Sequence, residues 1–368
     1  MTPSTSPTHE RDLFAIVLAG GSGTRFWPAS RSSRPKQFLP IGSDRPLIVQ
    51  TVERVRDLVP TERVLVVTAR DQAPLVRECL PELPAENVLE EPCARNTAAC
   101  AAWAALEVER RHAGSLQLVL PADHVIAPVE RFAATIRAGA EEARESGGLL
   151  TFGVRPTHPA TGYGYIETGD EIARRGGLAV DAVRRFVEKP DRARAEEFLA
   201  TGRFLWNAGI FLWRGADAIA GLAEHANDVL DPLRGVVAGS ASVDDVYPKL
   251  RSAPIDVALM EKARDVKTLP IDYTWSDVGS WTALTDLALP DEDGNWTNLS
   301  GGARLVAVDA KGCIVHGEAR EVIAVVGADD LVVVRSGDAT LVCPRERAQD
   351  VREVVARLKA LPDGDAFL

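Results

Sequence analysis

The first half of the chain alternates between short apolar runs and longer segments of helical character. The apolar runs, rich in β-branched residues, are Phe14–Leu18, Arg63–Thr68, Leu116–Leu120 and Leu149–Val154. The segments that separate or follow them predict helices over Pro46–Leu58, Asp71–Leu80, Thr97–Arg111 and Val129–Ser146. Strands that are apolar on both faces and separated by helices are typical of a parallel sheet covered on both sides. We therefore predict an α/β domain with a doubly wound, Rossmann-like fold and a mainly parallel sheet.

The pattern changes after Pro290. Asp291–Gly302 (DEDGNWTNLSGG) is polar and rich in turn residues, which predicts a linker. Short valine-rich runs predict strands over Ala303–Val308, Cys313–His316, Val322–Val326, Leu331–Val334 and Thr340–Cys343. A helix over Arg345–Lys359 closes the chain. We predict three parts: a disordered lead-in over 1–11, an α/β domain over 12–290 and a small β domain over 291–368.

Composition excludes several classes of protein. The chain has 368 residues and a formal net charge of -11, which argues against general binding to nucleic acid or to anionic membranes. No apolar run approaches the roughly 20 residues of a membrane helix, and the N-terminus lacks the apolar core of an export signal. The five cysteines are scattered and form no C-x-x-C motif, so neither a disulfide framework nor a zinc site is indicated. A cytoplasmic setting is the expectation.

Cations are concentrated at one place, Leu18–Pro40 (LAGGSGTRFWPASRSSRPKQFLP), directly after the first predicted strand. Its glycines and cations are Gly20, Gly21, Gly23, Arg25, Arg31, Arg34 and Lys36. A glycine-rich turn can present backbone N–H groups to an anion, and arginine and lysine can neutralise phosphate charge. No Lys-Ser/Thr follows the glycines, and Phe26 stands where a dinucleotide fingerprint needs its third glycine, so both of those motifs are excluded. A flexible turn with solvated arginines stays open at this point.

A second loop carries the first candidate metal ligand. Asp123 follows the strand Leu116–Leu120, and ligands of such sheets lie beyond the carboxyl ends of the strands. If this strand neighbours the first one, both loops open into the same crevice. Position alone also fits an ordinary turn aspartate, whereas Mg²⁺ would favour a carboxylate there beside phosphate oxygens and water.

The glycine stretch resembles the N-terminal signature of the sugar-1-phosphate nucleotidylyltransferases. Its tail, Ser33–Leu39 (SRPKQFL), is similar to the mannose-1-phosphate guanylyltransferase branch of that family, although Phe26 and Ala29 stand where leucine is more usual. Further segments follow in the family's order, and the resemblance covers roughly residues 12 to 345. They are Glu91–Ala98 (EPCARNTA), Pro121–His124 (PADH), Phe186–Pro190 (FVEKP), Trp206–Phe211 (WNAGIF) and Trp275–Trp281 (WSDVGSW).

The resemblance implies roles for individual residues. Nucleotide binding falls to Leu18, Ala19, Gly20, Gly21, Gly23, Thr24, Arg25, Glu91, Asn96, Thr97 and Asp123. Binding of the sugar phosphate falls to Gly162, Glu188, Lys189, Asn207 and Gly209. Asp123 and Asp277 would hold Mg²⁺, and Arg25 and Lys36 would be catalytic. From the residues alone, Glu188 and Lys189 also fit a solvated ion pair, Asn207 a satisfied core amide, and Asn96 and Thr97 helix caps.

The implied reaction transfers GMP from GTP to α-D-mannose 1-phosphate and releases pyrophosphate. The attacking phosphate oxygen is already anionic, so catalysis needs positioning and charge neutralisation and no general base. The resemblance also makes the sheet mixed and the C-terminal domain a short left-handed β-helix. Such a domain would serve dimerisation or support of the pocket, and a homodimer is left open.

Three other functions stay open on the sequence. A related enzyme could use another sugar, such as a heptose 1-phosphate, or another nucleotide. A nucleotide-sugar sensor on the same fold would bind without turnover. A glycosyltransferase also uses an aspartate at a strand end with a metal, but no Asp-x-Asp occurs at Asp123.

Overall fold

The chain divides into two compact units that do not follow its linear order. The computed structural model describes residues 12–21 and 23–368, so the predicted lead-in over 1–11 lies outside the described residues. The first unit contains the described residues up to Gly20, Thr51–Pro121 and Ile126–Trp275. The second contains the described residues from Gly21 to Gln50, Ala122–Val125 and Ser276–Leu368. The glycine-rich stretch is thus grouped with the C-terminal region from Gly21 onward, and the predicted boundary at 290/291 stays a prediction.

The helices and strands have the following bounds in chain order. The strands are β1 (Leu13–Ala19), β2 (Val64–Ala69), β3 (Val88–Glu91), β4 (Leu116–Pro121), β5 (Val125–Ala127), β6 (Leu149–Val154), β7 (Tyr165–Arg175), β8 (Leu178–Val187), β9 (Phe204–Arg214), β10 (Val266–Ile271), β11 (Thr274–Ser276), β12 (Trp296–Leu299), β13 (Arg304–Val308), β14 (Ile314–Gly317), β15 (Val322–Val326), β16 (Leu331–Ser336) and β17 (Ala339–Pro344). The helices are α1 (Leu47–Val55), α2 (Ala73–Cys79), α3 (Asn96–Arg111), α4 (Val129–Ser146), α5 (Arg192–Thr201), α6 (Gly215–His225), α7 (Asn227–Val237), α8 (Val243–Val246), α9 (Leu284–Leu287) and α10 (Val351–Lys359). The strands and helices predicted for the first half are confirmed, with ends that differ by at most three residues.

A mixed sheet organises the first unit. Its nine strands, counted over the described residues, have the order β3-β2-β1-β4-β9-β6-β10-β8-β7. Strands β8 and β9 run antiparallel to their neighbours, so the other seven point the same way. The prediction of a mixed, mainly parallel sheet is confirmed. Strands β1 and β4 are adjacent and parallel, with Leu18 opposite Pro121. This adjacency is the condition under which the loops that follow the two strands were predicted to open into the same crevice.

Helix α3 shows how the first unit builds its core. It is rich in alanine, the best helix former, and its residues from Ala98 to Val108 are buried. Small side chains let other elements approach this helix closely, and it shares one large apolar cluster with strands of the sheet. Within the part of the chain that the structure describes, no helix has both the length and the apolar character needed to cross a membrane.

The second unit contains stacked parallel strands. Strand β13 pairs in parallel with β15, and β12, β14 and β16 pair in parallel in that order. Parallel pairing of successive short strands is the arrangement expected of a β-helix, while its left-handed sense stays a prediction. The prediction of a linker over Asp291–Gly302 is wrong in its middle, because β12 lies there. Asn295, which precedes β12, is buried; its side chain donates to the Ala310 carbonyl and accepts from the Cys313 amide.

The apolar core of the second unit joins segments far apart in sequence. Phe26 and Trp27 from the glycine-rich stretch share one cluster with Trp281, Ile314 and Val332. The Phe26 and Trp281 rings lie 4.8 Å apart, centroid to centroid. The cationic loop is therefore built on the same core as the C-terminal strands. The predicted C-terminal helix begins as 3-10 helix over Arg345–Asp350 and becomes α-helical in α10.

Candidate active site

The second unit places Lys36 by close packing against Gly23. Lys36 begins a short 3-10 helix, Lys36–Phe38, and Gly23 has a left-handed backbone with φ of 58°. A Cβ atom at Gly23 would lie 2.3 Å from Cβ and 3.0 Å from the backbone nitrogen of Lys36. Only glycine meets both demands, because it tolerates positive φ and leaves room for the lysine.

The Lys36 ammonium connects the two predicted metal segments. Its Nζ donates to Asp123 Oδ2 at 2.8 Å and to the Asp277 backbone carbonyl at 2.5 Å. The lysine side chain is only 7% exposed, whereas that of Asp123 is 33% exposed. The sequence predicted functions for all three residues, and the structure brings them together in one unit.

Charge keeps the Asp123 carboxyl ionised. Burial raises its pKa, but the nearby charges of Lys36 and His124 and the hydrogen bond from Lys36 outweigh burial. The pKa of Asp123 therefore lies below its usual range. The Asp123 carboxylate can bind a cation, and the Lys36 ammonium can bind an anion. Together they suit a ligand that carries several negative charges and a bound cation.

Arg25 lies at the same centre. A Cβ atom at Gly279 would be 3.1 Å from both carboxylate oxygens of Asp277 and 3.5 Å from Nη1 of Arg25. Among the described residues, Arg25 has no hydrogen-bonding or ion-pair partner. Between these residues Val278, fully buried, adopts a left-handed backbone with φ of 46°, an unfavourable conformation for a β-branched residue.

The two carboxylates at this centre fit Mg²⁺, which also takes ligands from substrate and water. They are too few for a metal ion bound by protein side chains alone. No cluster of three or more His, Cys, Asp and Glu side chains suited to a metal occurs in residues 12–21 and 23–368. Mg²⁺ is usually held by one or two carboxylates together with substrate phosphates and water. Asp123 and Asp277 provide two carboxylates on the same unit, which matches that requirement.

The remaining residues of the glycine stretch differ in what surrounds them. A Cβ atom at Gly20 or Gly21 would meet nothing within 4 Å, so both glycines border open space. Leu18 and Ala19 end β1, and the Ala19 carbonyl accepts from Thr68 Oγ1 at 3.0 Å. Thr24 opens a 3-10 turn, Thr24–Phe26.

The first unit brings together four of the residues predicted for the sugar phosphate: Glu188, Lys189, Asn207 and Gly209. Asn207 Nδ2 donates to Asp256 Oδ1 at 2.8 Å, and Asn207 Oδ1 accepts from Thr151 Oγ1 at 2.9 Å. The carboxylate of Glu188 accepts from Lys189 Nζ at 2.5 Å, and the lysine side chain is 59% exposed. Asn207 is thus a satisfied amide, while Lys189 presents its ammonium to solvent or to a ligand.

Asp256 belongs to this cluster and was missed from the sequence. It begins a π-helical turn, Asp256–Met260, and no motif marks it. Burial, followed by the charge of Glu188, raises the pKa of Asp256 to about 6. Two carboxyl groups close together can accept several hydroxyl hydrogen bonds, which is a property expected of a sugar site.

The glycine that matters for this cluster is Gly164. A Cβ atom there would lie 2.7 Å from Glu188 Oε2 and 3.3 Å from Cβ of Asn207, whereas one at Gly162 would meet nothing within 4 Å. Gly209 has φ of 67°, and its amide donates to Asn207 Oδ1 at 3.1 Å. Gly209 therefore orients the Asn207 amide from within strand β9.

Glu91 points into the core of the first unit. Its Oε1 accepts from the Tyr247 hydroxyl at 2.5 Å and from Cys100 Sγ at 3.0 Å, and the residue is 5% exposed. Burial raises its pKa, against the effect of these hydrogen bonds. This contact supports the loop that follows Glu91, and its predicted role in nucleotide binding stays a prediction.

The start of helix α3 has Arg95 as its N-cap residue and, among the described residues, no side-chain capping hydrogen bond. Asn96 Oδ1 accepts from the Thr97 amide at 2.8 Å, with Asn96 in a left-handed conformation. The Thr97 hydroxyl instead accepts from the Ile255 amide at 2.8 Å. The interpretation of Asn96 and Thr97 as helix caps is wrong, because the Asn96 side chain bonds to the adjacent amide and the Thr97 hydroxyl accepts from a backbone amide in a distant part of the chain.

Comparison with known proteins shows which family the chain belongs to. A family model described as Nucleotidyl transferase matches residues 14–294, and one described as MannoseP isomerase/GMP-like beta-helix domain matches 303–358. The chain is 38% identical to the xanthan biosynthesis protein XanB of Xanthomonas campestris pv. campestris (strain B100), over 96% of this chain and 75% of that protein. It is also 38% identical to a mannose-1-phosphate guanylyltransferase of Klebsiella pneumoniae, over 94% and 74% of the two chains.

A solved structure agrees with these relatives. The structure described as a mannose-1-phosphate geranyltransferase from Thermus thermophilus superposes with a TM-score of 0.86 at 38% identity, covering 95% of this chain and 99% of that one. The chain belongs to the nucleotidyl transferase family, in the branch that contains the mannose-1-phosphate guanylyltransferases. The sequence-based assignment to that family is confirmed.

Proposed function

We propose that the protein transfers GMP from GTP to α-D-mannose 1-phosphate and releases pyrophosphate. In this reaction a phosphate oxygen of the sugar attacks the α-phosphorus of GTP. The new P–O bond forms as the bond to the bridging oxygen breaks, and the electron pair leaves with pyrophosphate. Membership of the branch named above and the two polar clusters support the proposal.

The main structural support for this proposal is the contact of Lys36 with Asp123 and Asp277. A buried ammonium held beside a carboxylate can offset the charge that develops around the α-phosphorus, and its fixed position avoids reorganisation during reaction. Arg25, with its donors uncommitted among the described residues, would hold the β- and γ-phosphates, together with the backbone amides of the glycine turn. This distribution explains why an acidic chain concentrates cations in Leu18–Pro40.

Asp123 and Asp277 would hold Mg²⁺. When bound, the ion supplies positive charge that draws phosphate oxygens together and offsets their repulsion. The protein's own part is to keep the Asp123 carboxylate ionised, to place the Asp277 carboxylate and to hold Lys36 in position.

The cluster in the first unit would recognise the sugar phosphate. Lys189 would meet the phosphate, and Glu188 would accept hydroxyl hydrogen bonds. Asn207, already bonded to Asp256, would act on the sugar through its remaining amide hydrogen or by fixing Asp256. A cytoplasmic location is also proposed, supported by the five cysteines, which are all free thiols. The homodimer stays a prediction.

The test is pyrophosphate release from a matrix of substrates. GTP, ATP, UTP and dTTP are each combined with mannose, glucose and heptose 1-phosphates in the presence of Mg²⁺. Release confined to GTP with mannose 1-phosphate is expected. Release with another pair would retain the chemistry and overturn the specificity, and binding of GDP-mannose without any release would favour the nucleotide-sugar sensor.

A further inference from the structure

The signature segment Arg34–Pro40 is attached at both ends to one chain of polar side chains in the second unit. Before it, Arg31 and Arg34 close a tight turn, with the Arg31 amide 3.1 Å from the Arg34 carbonyl and the Arg34 amide 2.9 Å from the Arg31 carbonyl. After it, the Pro40 carbonyl accepts from Asn298 Nδ2 at 3.1 Å. Lys36 lies between these two attachment points.

Glu318 holds the first end. Its Oε2 forms an ion pair with Nη1 of Arg34, across 284 residues of sequence. Its Oε1 accepts from His316 Nε2 at 3.0 Å and from Ser336 Oγ at 3.3 Å. The Glu318 side chain is only 15% exposed, so both carboxylate oxygens are committed to these partners.

His316 connects the two ends. It is 1% exposed, and its Nδ1 lies 2.9 Å from Asn298 Nδ2, the same nitrogen that donates to Pro40. Because the Asn298 nitrogen can only donate, His316 Nδ1 must accept, and the Nε2–H group then donates to Glu318. Hydrogen bonds are therefore donated from Asn298 to His316 and from His316 to Glu318, and Glu318 accepts a further one from Arg34 on its other oxygen.

The same histidine touches the segment that carries the second aspartate. The His316 and Trp281 rings lie 4.8 Å apart, and the Trp281 indole donates to the Trp27 carbonyl at 3.3 Å. Trp281 follows Asp277 by four residues. The polar chain thus contacts both the segment that carries Lys36 and the segment that carries Asp277.

We propose that Glu318 is a positioning residue and that Glu318, His316 and Asn298 form a clamp on Arg34–Pro40 that holds Lys36 in its catalytic place. The inference rests on the proposed function of Lys36. Arg34 and Lys36 are separated by one proline with a restricted backbone, so a shift of the Arg34 anchor passes readily to Lys36. Nothing in the clamp needs to touch substrate.

The charge of Glu318 suits this role. Burial raises its pKa, but the hydrogen bonds and charges of His316 and Arg34 outweigh burial and lower the pKa to about 2. The carboxylate is therefore ionised throughout the pH range in which an enzyme of this kind would be assayed. Its hold on Arg34 does not depend on small changes of pH.

The test compares Glu318→Gln with Glu321→Gln. Glu321 lies only three residues further along the chain and pairs with Arg335 at a separation of 3.5 Å, outside the clamp. We expect Glu318→Gln to lower kcat by about tenfold to 100-fold with little change in KM, because small misplacement of a catalytic group is costly. Glu321→Gln should retain wild-type kcat. In a Lys36→Ala background, Glu318→Gln should change the residual kcat no further, which a general loss of stability would not produce.

A second readout does not depend on activity. Hydrogen exchange of the backbone amides in 31–40, followed by mass spectrometry on the full-length chain, should become faster in Glu318→Gln and stay unchanged in Glu321→Gln. If wild-type protein converts no substrate pair, the proposed function fails while this exchange result still reports on the clamp. Folded Glu318→Gln with wild-type kcat and wild-type exchange would overturn the inference. If that variant does not fold, Arg34→Gln, whose side chain is 40% exposed, must show the same losses for the inference to stand.

Discussion

Replacement of Gly23 by alanine tests whether the glycine turn positions Lys36 or only permits a bend. The added Cβ would lie 2.3 Å from Cβ of Lys36, and carbon atoms normally approach to about 3.5–4.0 Å, so the two segments must separate by more than about 1 Å. The left-handed backbone at Gly23 adds roughly 1–2 kcal/mol of strain for any L-residue with a Cβ. Relief of the overlap adds about 1–3 kcal/mol, as in other overpacked sites.

A matched control separates the two costs. Gly202, at the end of helix α5, has φ of 66°, and a Cβ atom there would meet nothing within 4 Å. Gly202→Ala therefore introduces the same backbone strain as Gly23→Ala. It also lowers the conformational entropy of the unfolded chain by the same amount, but its added Cβ overlaps no other atom. Both variants should melt at lower temperature than wild type, with the larger drop for Gly23→Ala.

Measurement of kcat tests whether Gly23 positions Lys36. Because a displacement of about 1 Å in a catalytic group can cost on the order of 100-fold in rate, Gly23→Ala should lower kcat by about that factor, measured well below its melting temperature. Gly202→Ala should keep wild-type kcat. Equal kcat values for the two variants would refute the claim that Gly23 sets the position of Lys36.

Three further predictions follow from the two clusters. Lys36→Ala and Asp277→Ala should each lower kcat by roughly 100-fold or more while the far-ultraviolet circular dichroism stays unchanged; near-wild-type turnover would remove the residue from the mechanism. Chelation of divalent cations with EDTA should abolish pyrophosphate release and added Mg²⁺ should restore it, and full activity in EDTA would contradict the magnesium proposal. The pKa of Asp256 is raised to about 6 in the folded protein. Ionisation of this group therefore lowers the free energy of unfolding as the pH rises from about 4 to 6, by about 3 kcal/mol in total. Asp256→Asn should therefore raise the melting temperature at pH 7.5 by more than at pH 4.5, and an equal change at both pH values would contradict the raised pKa.

The sequence predicted elements whose pattern is local. Strands such as β1 and β4 are continuously apolar, and their character is visible in six or seven consecutive residues. The ordered motifs likewise marked Lys36, Asp123 and Asp277 as candidates; the structure shows their contact, and their roles stay predictions. Strand β12 was missed because it is polar and partly exposed, so neither apolar periodicity nor a β-branched run marks it.

Contacts between distant segments were not predictable in the same way. The pair Arg34 and Glu318 and the pair Asn207 and Asp256 depend on which strands become neighbours, and single residues of these types occur throughout any chain. The inward orientation of Glu91 was hidden for the same reason, because Tyr247 lies 156 residues away. Grouping of the glycine stretch with the C-terminal unit also comes from packing, and no local signal marks it.

The most direct measurement of the central claim follows the phosphorus atoms. GTP and mannose 1-phosphate are incubated with Mg²⁺ and a catalytic amount of the protein, and the mixture is observed by ³¹P NMR. The account predicts that the resonances of GDP-mannose and of pyrophosphate appear in equal amounts as mannose 1-phosphate disappears. Appearance of GDP with orthophosphate, or of GMP with pyrophosphate while mannose 1-phosphate is unchanged, would show hydrolysis and would contradict transfer to the sugar phosphate.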